Sequence, residues 1–233
     1  MLKPETDHVW QCLREQPALA GFVLIGGTAL TLHIGHRLSE DLDFACLLPK
    51  LPRARLRALI QSCAGQGVLF RANDDAGAVD DFEISGMDLH DHQQDFLVNG
   101  VVKVSFFCPE APLHALLESR EEHAGVRIAM LRELFQSKAI LTASRSKTRD
   151  WFDLYILMQQ HGFTMKDFYT AYVQAGIPNQ YDLGIKRLCS GHPQASDEGY
   201  EALVKAAPSV AELQQFFLQK RDDYERAKAS SGI

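Results

Sequence analysis

The sequence lacks any apolar run long enough to cross a bilayer. Its longest, such as Phe22–Ile25 and Val101–Cys108, are short and interrupted, and the N-terminus MLKPETDHVW has no apolar core of the signal-peptide kind. A cytoplasmic protein without a membrane partner is expected. Cysteine is scarce and unpaired by spacing: Cys12, Cys46, Cys63, Cys108 and Cys189 are odd in number and scattered, which excludes a disulfide framework, a zinc knuckle and a CxxC redox motif. Reduced, mostly buried thiols are the expectation. A basic excess is also missing, since 24 Lys and Arg against 30 Asp and Glu give a net charge of −6. That balance argues against a protein coated for long nucleic-acid tracts and leaves a local basic patch open. No repeat or low-complexity tract is found.

What is present has ordinary globular composition, with 46% hydrophobic and 23% charged residues over 233 positions, enough for one substantial core or two modest ones. The patterns predict a helix over 5–17, a buried strand at Phe22–Ile25, a helix over Thr28–Gly35 and a strand over Asp41–Cys46. Pro52 opens a further helix whose Leu56, Leu59, Ile60 and Cys63 form one stripe. Gln93–Val98 and Val101–Phe107 flank Asn99-Gly100, the dipeptide most favoured in a two-residue hairpin turn. From about residue 126 the pattern becomes helical, over Ile128–Ala143, Arg149–Gln160, Thr164–Ala175 and Ser209–Lys228. Thr164 with Asp167, and Ser209 with Glu212, supply N-terminal caps. The expected class is α+β: a mixed-sheet domain over 1–125 followed by a helical domain over 126–233.

The stretch FVLIGGTALTLHIGHRLSEDLDF, from Phe22 to Phe44, carries the chemistry. Two glycines between a strand and a helix let backbone approach a ligand, and the helix start offers unpaired amides and a positive dipole end to a phosphate. Thr28 adds a hydroxyl. A tight strand-to-helix turn capped by Thr28 explains the same residues. Asp41 and Asp43 stand at i and i+2 on a strand, on one face and roughly 6–7 Å apart at the backbone. Two converging carboxylates call for a cation, and hard oxygen ligands select Mg²⁺ or Mn²⁺. Two solvated aspartates on an edge strand are the plainer alternative, against which Leu42 and Phe44 point to a packed strand.

Gly26-Gly27-Thr28-Ala29-Leu30 followed by His36-Arg37-x-Ser39-x-Asp41-x-Asp43-Phe44 resembles the signature of the AbiEii/AbiGii group of nucleotidyltransferase-fold proteins, related to DNA polymerase β. Lys138, then Ser144-Arg145-x-Lys147-x-Arg149-Asp150-x-x-Asp153-Leu154-Tyr155, resembles the family's downstream lysine and arginine-aspartate helix start. Beyond about residue 180 there is no match. The resemblance implies a nucleotidyltransferase core with a helical partner domain. It implies that Gly26, Gly27 and Thr28 hold a triphosphate, with Arg37 and Ser39 beside them, and that Asp41 and Asp43 coordinate Mg²⁺ or Mn²⁺. It further implies that Lys138 acts with the catalytic acids on phosphate, and that Arg149, Asp150 and Asp153 orient the nucleotide or brace the helix. Members are often toxins of two-gene systems, so an NTP substrate, an RNA or tRNA acceptor and a cognate antitoxin are the implied partners.

One departure stands out. Polymerase-β-like enzymes place a third carboxylate on a later strand, and here that position falls near Ser105. Asp88, Asp95 or Glu83 fills in, or two carboxylates suffice, or the protein binds nucleotide without transferring it. Arg37 has a rival role as a partner for a nearby acid, Lys138 as a solvated helix position, and Asp150 and Asp153 as structural charges. His90 and His92 fall on one strand face with no metal-ligand spacing. Arg53, Arg55 and Arg57, and Arg145, Lys147 and Arg149, are candidate RNA-phosphate contacts whose default is a solvated surface. The expected function is Mg²⁺-dependent transfer of a nucleoside monophosphate from an NTP to RNA or protein. The alternatives are a catalytically degenerate fold that binds nucleotide or a protein, and transfer to a small molecule such as an aminoglycoside.

Overall fold

Short aromatic and β-branched runs become the strands of one six-stranded mixed sheet: β1 Phe22–Ile25, β2 Leu42–Cys46, β3 Phe70–Ala72, β4 Gln93–Val98, β5 Val102–Phe107 and β6 Arg127–Ile128. The structure, a computed structural model, describes residues 2–117 and 125–230. The spatial order is β3-β4-β5-β2-β1-β6. β2 runs parallel to β5 and antiparallel to β1, and β6 pairs in parallel with β1. Helices interleave with the strands as α1 Pro4–Leu13, α2 Gly26–Ile34, α3 Arg53–Ala64 and α4 Ala76–Ile84. They continue as α5 Ala111–Leu116, α6 Leu131–Leu141, α7 Thr148–Gln160, α8 Met165–Gln174, α9 Tyr181–Leu188 and α10 Val210–Ser230. The fold is therefore α+β. Among the described residues no helix is long and apolar enough to cross a membrane.

The chain divides into two compact units, Met1–Glu110 with Ser119–Met130, and Ala111–Glu118 with Leu131–Ile233. The units are not the consecutive blocks 1–125 and 126–233, because two short elements change sides. Arg127–Ile128, expected at the start of a helical region, instead extends the sheet along β1. Helix α5, which the sequence did not reveal, packs on α6 and α8.

In the first unit strict alternation divides the sheet into two faces. Leu24, Phe44 and Phe106 lie in one cross-strand row, fully buried, with the Phe44 and Phe106 rings stacked at 5.2 Å. Arg55 from α3 lies over Phe22 at 5.6 Å and donates to the Ala20 carbonyl at 2.9 Å. The hairpin joining β4 to β5 turns on Asn99 (φ 50°) and Gly100 (φ 76°), the two left-handed positions a type I′ turn requires. The structure corrects several readings of the segment before it. Helix α4 forms with no buried residue, held by the Asp75 side chain, which accepts from Ala78 N at 2.9 Å, so it has no apolar stripe to betray it. His90 lies in a 3-10 turn and His92 just after it, not on a strand. Arg53 pairs with Asp88 at 2.6 Å and Asp91 at 3.2 Å and Arg55 is engaged at Ala20, so two of the three arginines weighed as RNA-phosphate contacts are held by the first unit itself.

The second unit is built around α6, α7 and α8, whose Phe135, Trp151, Phe152, Leu157 and Phe168 are buried. Both sequence-marked caps are made: Thr164 and Asp167 form a reciprocal capping box, and Glu212 accepts from Ser209 N at 2.7 Å. Gly184 lies inside α9 because a Cβ there would collide with the Tyr172 hydroxyl and come within 2.8 Å of Thr142 Oγ1. All five cysteines are free thiols, with Cys46, Cys63 and Cys189 buried.

Candidate active site

The turn from β1 into α2 and the first half of β2 are held together by a small set of buried polar groups. Thr28, Ser39 and Arg37 are all at most 6% exposed. Thr28 Oγ1 donates to the carbonyl of Asp41, so its hydroxyl proton is used, and Ser39 Oγ must donate to Thr28 Oγ1 across their 2.8 Å contact. Thr31 Oγ1 adds a bond to the Arg37 carbonyl at 3.2 Å. From the other side, Lys3 N donates to Ser39 O at 3.3 Å and Thr6 Oγ1 donates to Glu40 O at 2.9 Å. The loop 37–41 is thus pinned between α1 and α2, and this fixes where β2 begins.

The two glycines serve side-chain approach. A Cβ on Gly26 would sit 2.6 Å from Asp43 Oδ2, and Gly26 has φ 74°, a left-handed value that disfavours any side chain. A Cβ on Gly27 would sit 2.5 Å from Arg37 Nη2 and 3.3 Å from Ser39 Oγ. The glycine turn therefore admits a carboxylate and a guanidinium against the helix start. Asp43 faces this turn from the middle of the sheet, half-buried, and Asp41 stands exposed at the edge of β2. The structure brings together Gly26, Gly27, Thr28, Arg37, Ser39, Asp41 and Asp43. The Thr28 and Ser39 hydroxyls are committed to the loop, which leaves backbone amides as their means of meeting a phosphate.

The downstream motif forms its own cluster in the second unit. Lys138 on α6, 5% exposed, places its ammonium 2.5 Å from Asp150 Oδ1 and 2.9 Å from Asp153 Oδ2 on α7. Arg145 Nε binds the other Asp150 oxygen at 2.7 Å. Lys138 is thus no solvated helix position, and Asp150 and Asp153 are its buried partners. Burial raises the Asp150 carboxyl, but the charges of Lys138 and Arg145 outweigh it and hold it below the ordinary aspartate value. Arg149 reaches the 198–199 segment, with Nη1 3.1 Å from Glu198 and Nε donating to Gly199 O at 2.9 Å. Asp197 caps α7, accepting from Thr148 N at 3.0 Å and Thr148 Oγ1 at 2.6 Å. The motif-free stretch beyond residue 180 thereby holds the motif-bearing helix.

Residues 9–177 match the family described as nucleotidyl transferase AbiEii toxin, type IV TA system. The chain belongs to this family. An uncharacterized Aquifex aeolicus protein, aq_aa25, is 28% identical over 207 residues, 87% of either chain. JHP933 from Helicobacter pylori superposes with a TM-score of 0.53 at 20% identity, covering 100% of this chain and 98% of that one, and so shares the fold.

For an AbiEii nucleotidyltransferase the donor set matters next. Among the described residues no three His, Cys, Asp or Glu side chains cluster closely enough to hold a metal ion. Asp43 on β2 and Asp41, which falls one residue before that strand rather than on it as expected, offer two hard carboxylates, and Mg²⁺ is commonly held by one or two carboxylates with water and substrate phosphates completing the shell. The residues fit that ion in that mode. Of the three acids weighed as a further carboxylate, Asp88 binds Arg53 and His90 N, and Glu83 lies exposed on α4. Asp95 lies on the sheet: Ile25, Asp43, Ser105 and Asp95 are successive partners across β1, β2, β5 and β4. Sequence spacing could not show this, since the row is written by strand order.

Proposed function

We propose that this AbiEii-family nucleotidyltransferase moves a nucleoside monophosphate from an NTP to an RNA hydroxyl, with tRNA as the acceptor, as the toxin of a two-gene pair with a cognate antitoxin. The observation that carries the reading is the meeting of Asp43 with Gly26, where a glycine in a left-handed conformation makes room for an acid that no other residue would allow. The amides that open α2 receive phosphate oxygens, helped by the helix dipole. Arg37, buried beside Gly27, adds fixed positive charge at the same turn. Asp41 and Asp43 would hold a divalent cation, Mg²⁺ or Mn²⁺, which supplies charge neutralisation at the triphosphate when bound. Lys138, Asp150, Asp153 and Arg149 form the second unit's own network, in which Lys138 holds both aspartates.

Each α-labelled NTP, incubated with Mg²⁺ and bulk tRNA, tests the reading. Label enters tRNA with the wild-type chain, Asp41→Ala and Asp43→Ala abolish it, and EDTA removes it until Mn²⁺ or Mg²⁺ is returned. Serine in register with Asp43, where the related enzymes carry an acid, favours a second reading as a nucleotide-binding module. NTP binding without transfer to RNA, protein or a small acceptor is its signature.

A further inference from the structure

Asp95 is the outlier of the sheet's charged residues. It is 7% exposed, its Oδ1 is buried with no hydrogen-bond partner, and no Lys, Arg or His pairs with it among the described residues. Its Oδ2 accepts from Gln93 Nε2 at 2.6 Å, and its backbone N donates to Asp74 Oδ1 at 3.1 Å. A buried carboxylate with a vacant oxygen and no counter-charge is costly, so packing does not explain it. Its direction does. Asp95 and Asp43 stand on the same face, two strands apart in one row, with the small Ser105 side chain between them. Strand spacing puts the two backbones about 10 Å apart. A separation of that order lets two carboxylates flank an attacking oxygen without touching each other.

We infer that Asp95 is the proton acceptor for the attacking hydroxyl, which sits over Ser105 between Asp43 and Asp95; the inference rests on the transferase reading above. The acceptor oxygen forms a bond to the α-phosphorus. The bond from that phosphorus to the bridging oxygen breaks, its electron pair leaves on pyrophosphate, and the hydroxyl proton passes to Asp95 Oδ1. Ser105, in register between the two acids, orients the hydroxyl.

Three variants test this with α-labelled NTP and bulk tRNA, beside two readouts independent of turnover: Mn²⁺ binding with a non-transferable NTP analogue, and the thermal unfolding midpoint. Asp95→Asn is expected to lower transfer at least about 100-fold, the usual worth of a general base. It should leave Mn²⁺ binding unchanged and the midpoint equal or higher, because a lone buried charge is removed while the Gln93 contact is kept. Asp43→Asn should instead lose Mn²⁺ binding. Moving the acid one strand, with Asp95→Ser and Ser105→Asp together, should recover much of the lost transfer. The proposal fails if Asp95→Asn transfers like wild type, loses Mn²⁺ binding or unfolds earlier, or if the relocated acid recovers nothing. A wild-type chain that transfers no label takes the transferase reading down with it, whereas a working wild type with a fully active Asp95→Asn removes this inference alone.

Discussion

At the scale of single residues, Gly26 shows how a motif can be legible while its reason is not. A Gly-Gly turn before a helix reads as backbone exposed to phosphate, yet the nearest atom to a Gly26 Cβ is Asp43 Oδ2 at 2.6 Å, a neighbour 17 positions away that only β1–β2 pairing brings close. Gly26→Ala therefore displaces the Asp43 carboxylate and forces alanine to φ 74°, a left-handed cost of about 1–2 kcal/mol. It should abolish transfer and lower the urea midpoint, measured side by side. Thr28 and Ser39 were legible as members of the site, but as anchors of the loop they needed coordinates. Lys138 was legible as a motif lysine and not as a buried one, since its partners Asp150 and Asp153 lie on the next helix.

At the scale of elements, the α6–α7 pair is joined by that charge network. Removing Lys138 leaves two carboxylates without their shared cation in a dry site, a loss of about 3–5 kcal/mol. Lys138→Met should show it in urea unfolding whatever it does to transfer. The pH dependence has a definite sign. Asp150 is depressed in the folded chain, so its contribution is complete above the unfolded aspartate value of about 3.9 and is lost as pH falls through the lower folded value. Wild type should lose more stability between pH 6 and 3 than Asp150→Asn, by circular dichroism at each pH. In α9, Gly184→Ala gains helix propensity but drives a methyl into Tyr172 and Thr142, and overpacking of this kind costs about 1–3 kcal/mol, seen as a lower melting temperature. Elements with a strong local signal were readable: β1 and β4 match their sequence runs to the residue, as the Asn-Gly turn and both caps foretold. Those without one were not. Helix α4 buries nothing, β3 is a three-residue edge strand, and α9 carries a glycine that only its neighbours explain.

At the scale of the whole molecule, the family followed from two ordered motifs, the first of them a 23-residue stretch in which strand, turn, helix and acids fall in order. Partition of the chain was harder to read, since it turns on two short elements, α5 and β6. β6 is only Arg127–Ile128, yet it pairs with Val23 and Leu24 on the flank of β1 that β2 leaves open. Cutting the gene after Glu110 to isolate the sheet would remove that cover and strip β1 of its outer ladder. Such a fragment would carry a sticky rim of wholly apolar sequence, and on a sizing column it should run as an aggregate where the uncut chain gives a discrete peak. A two-residue seam thus decides where this protein can be divided.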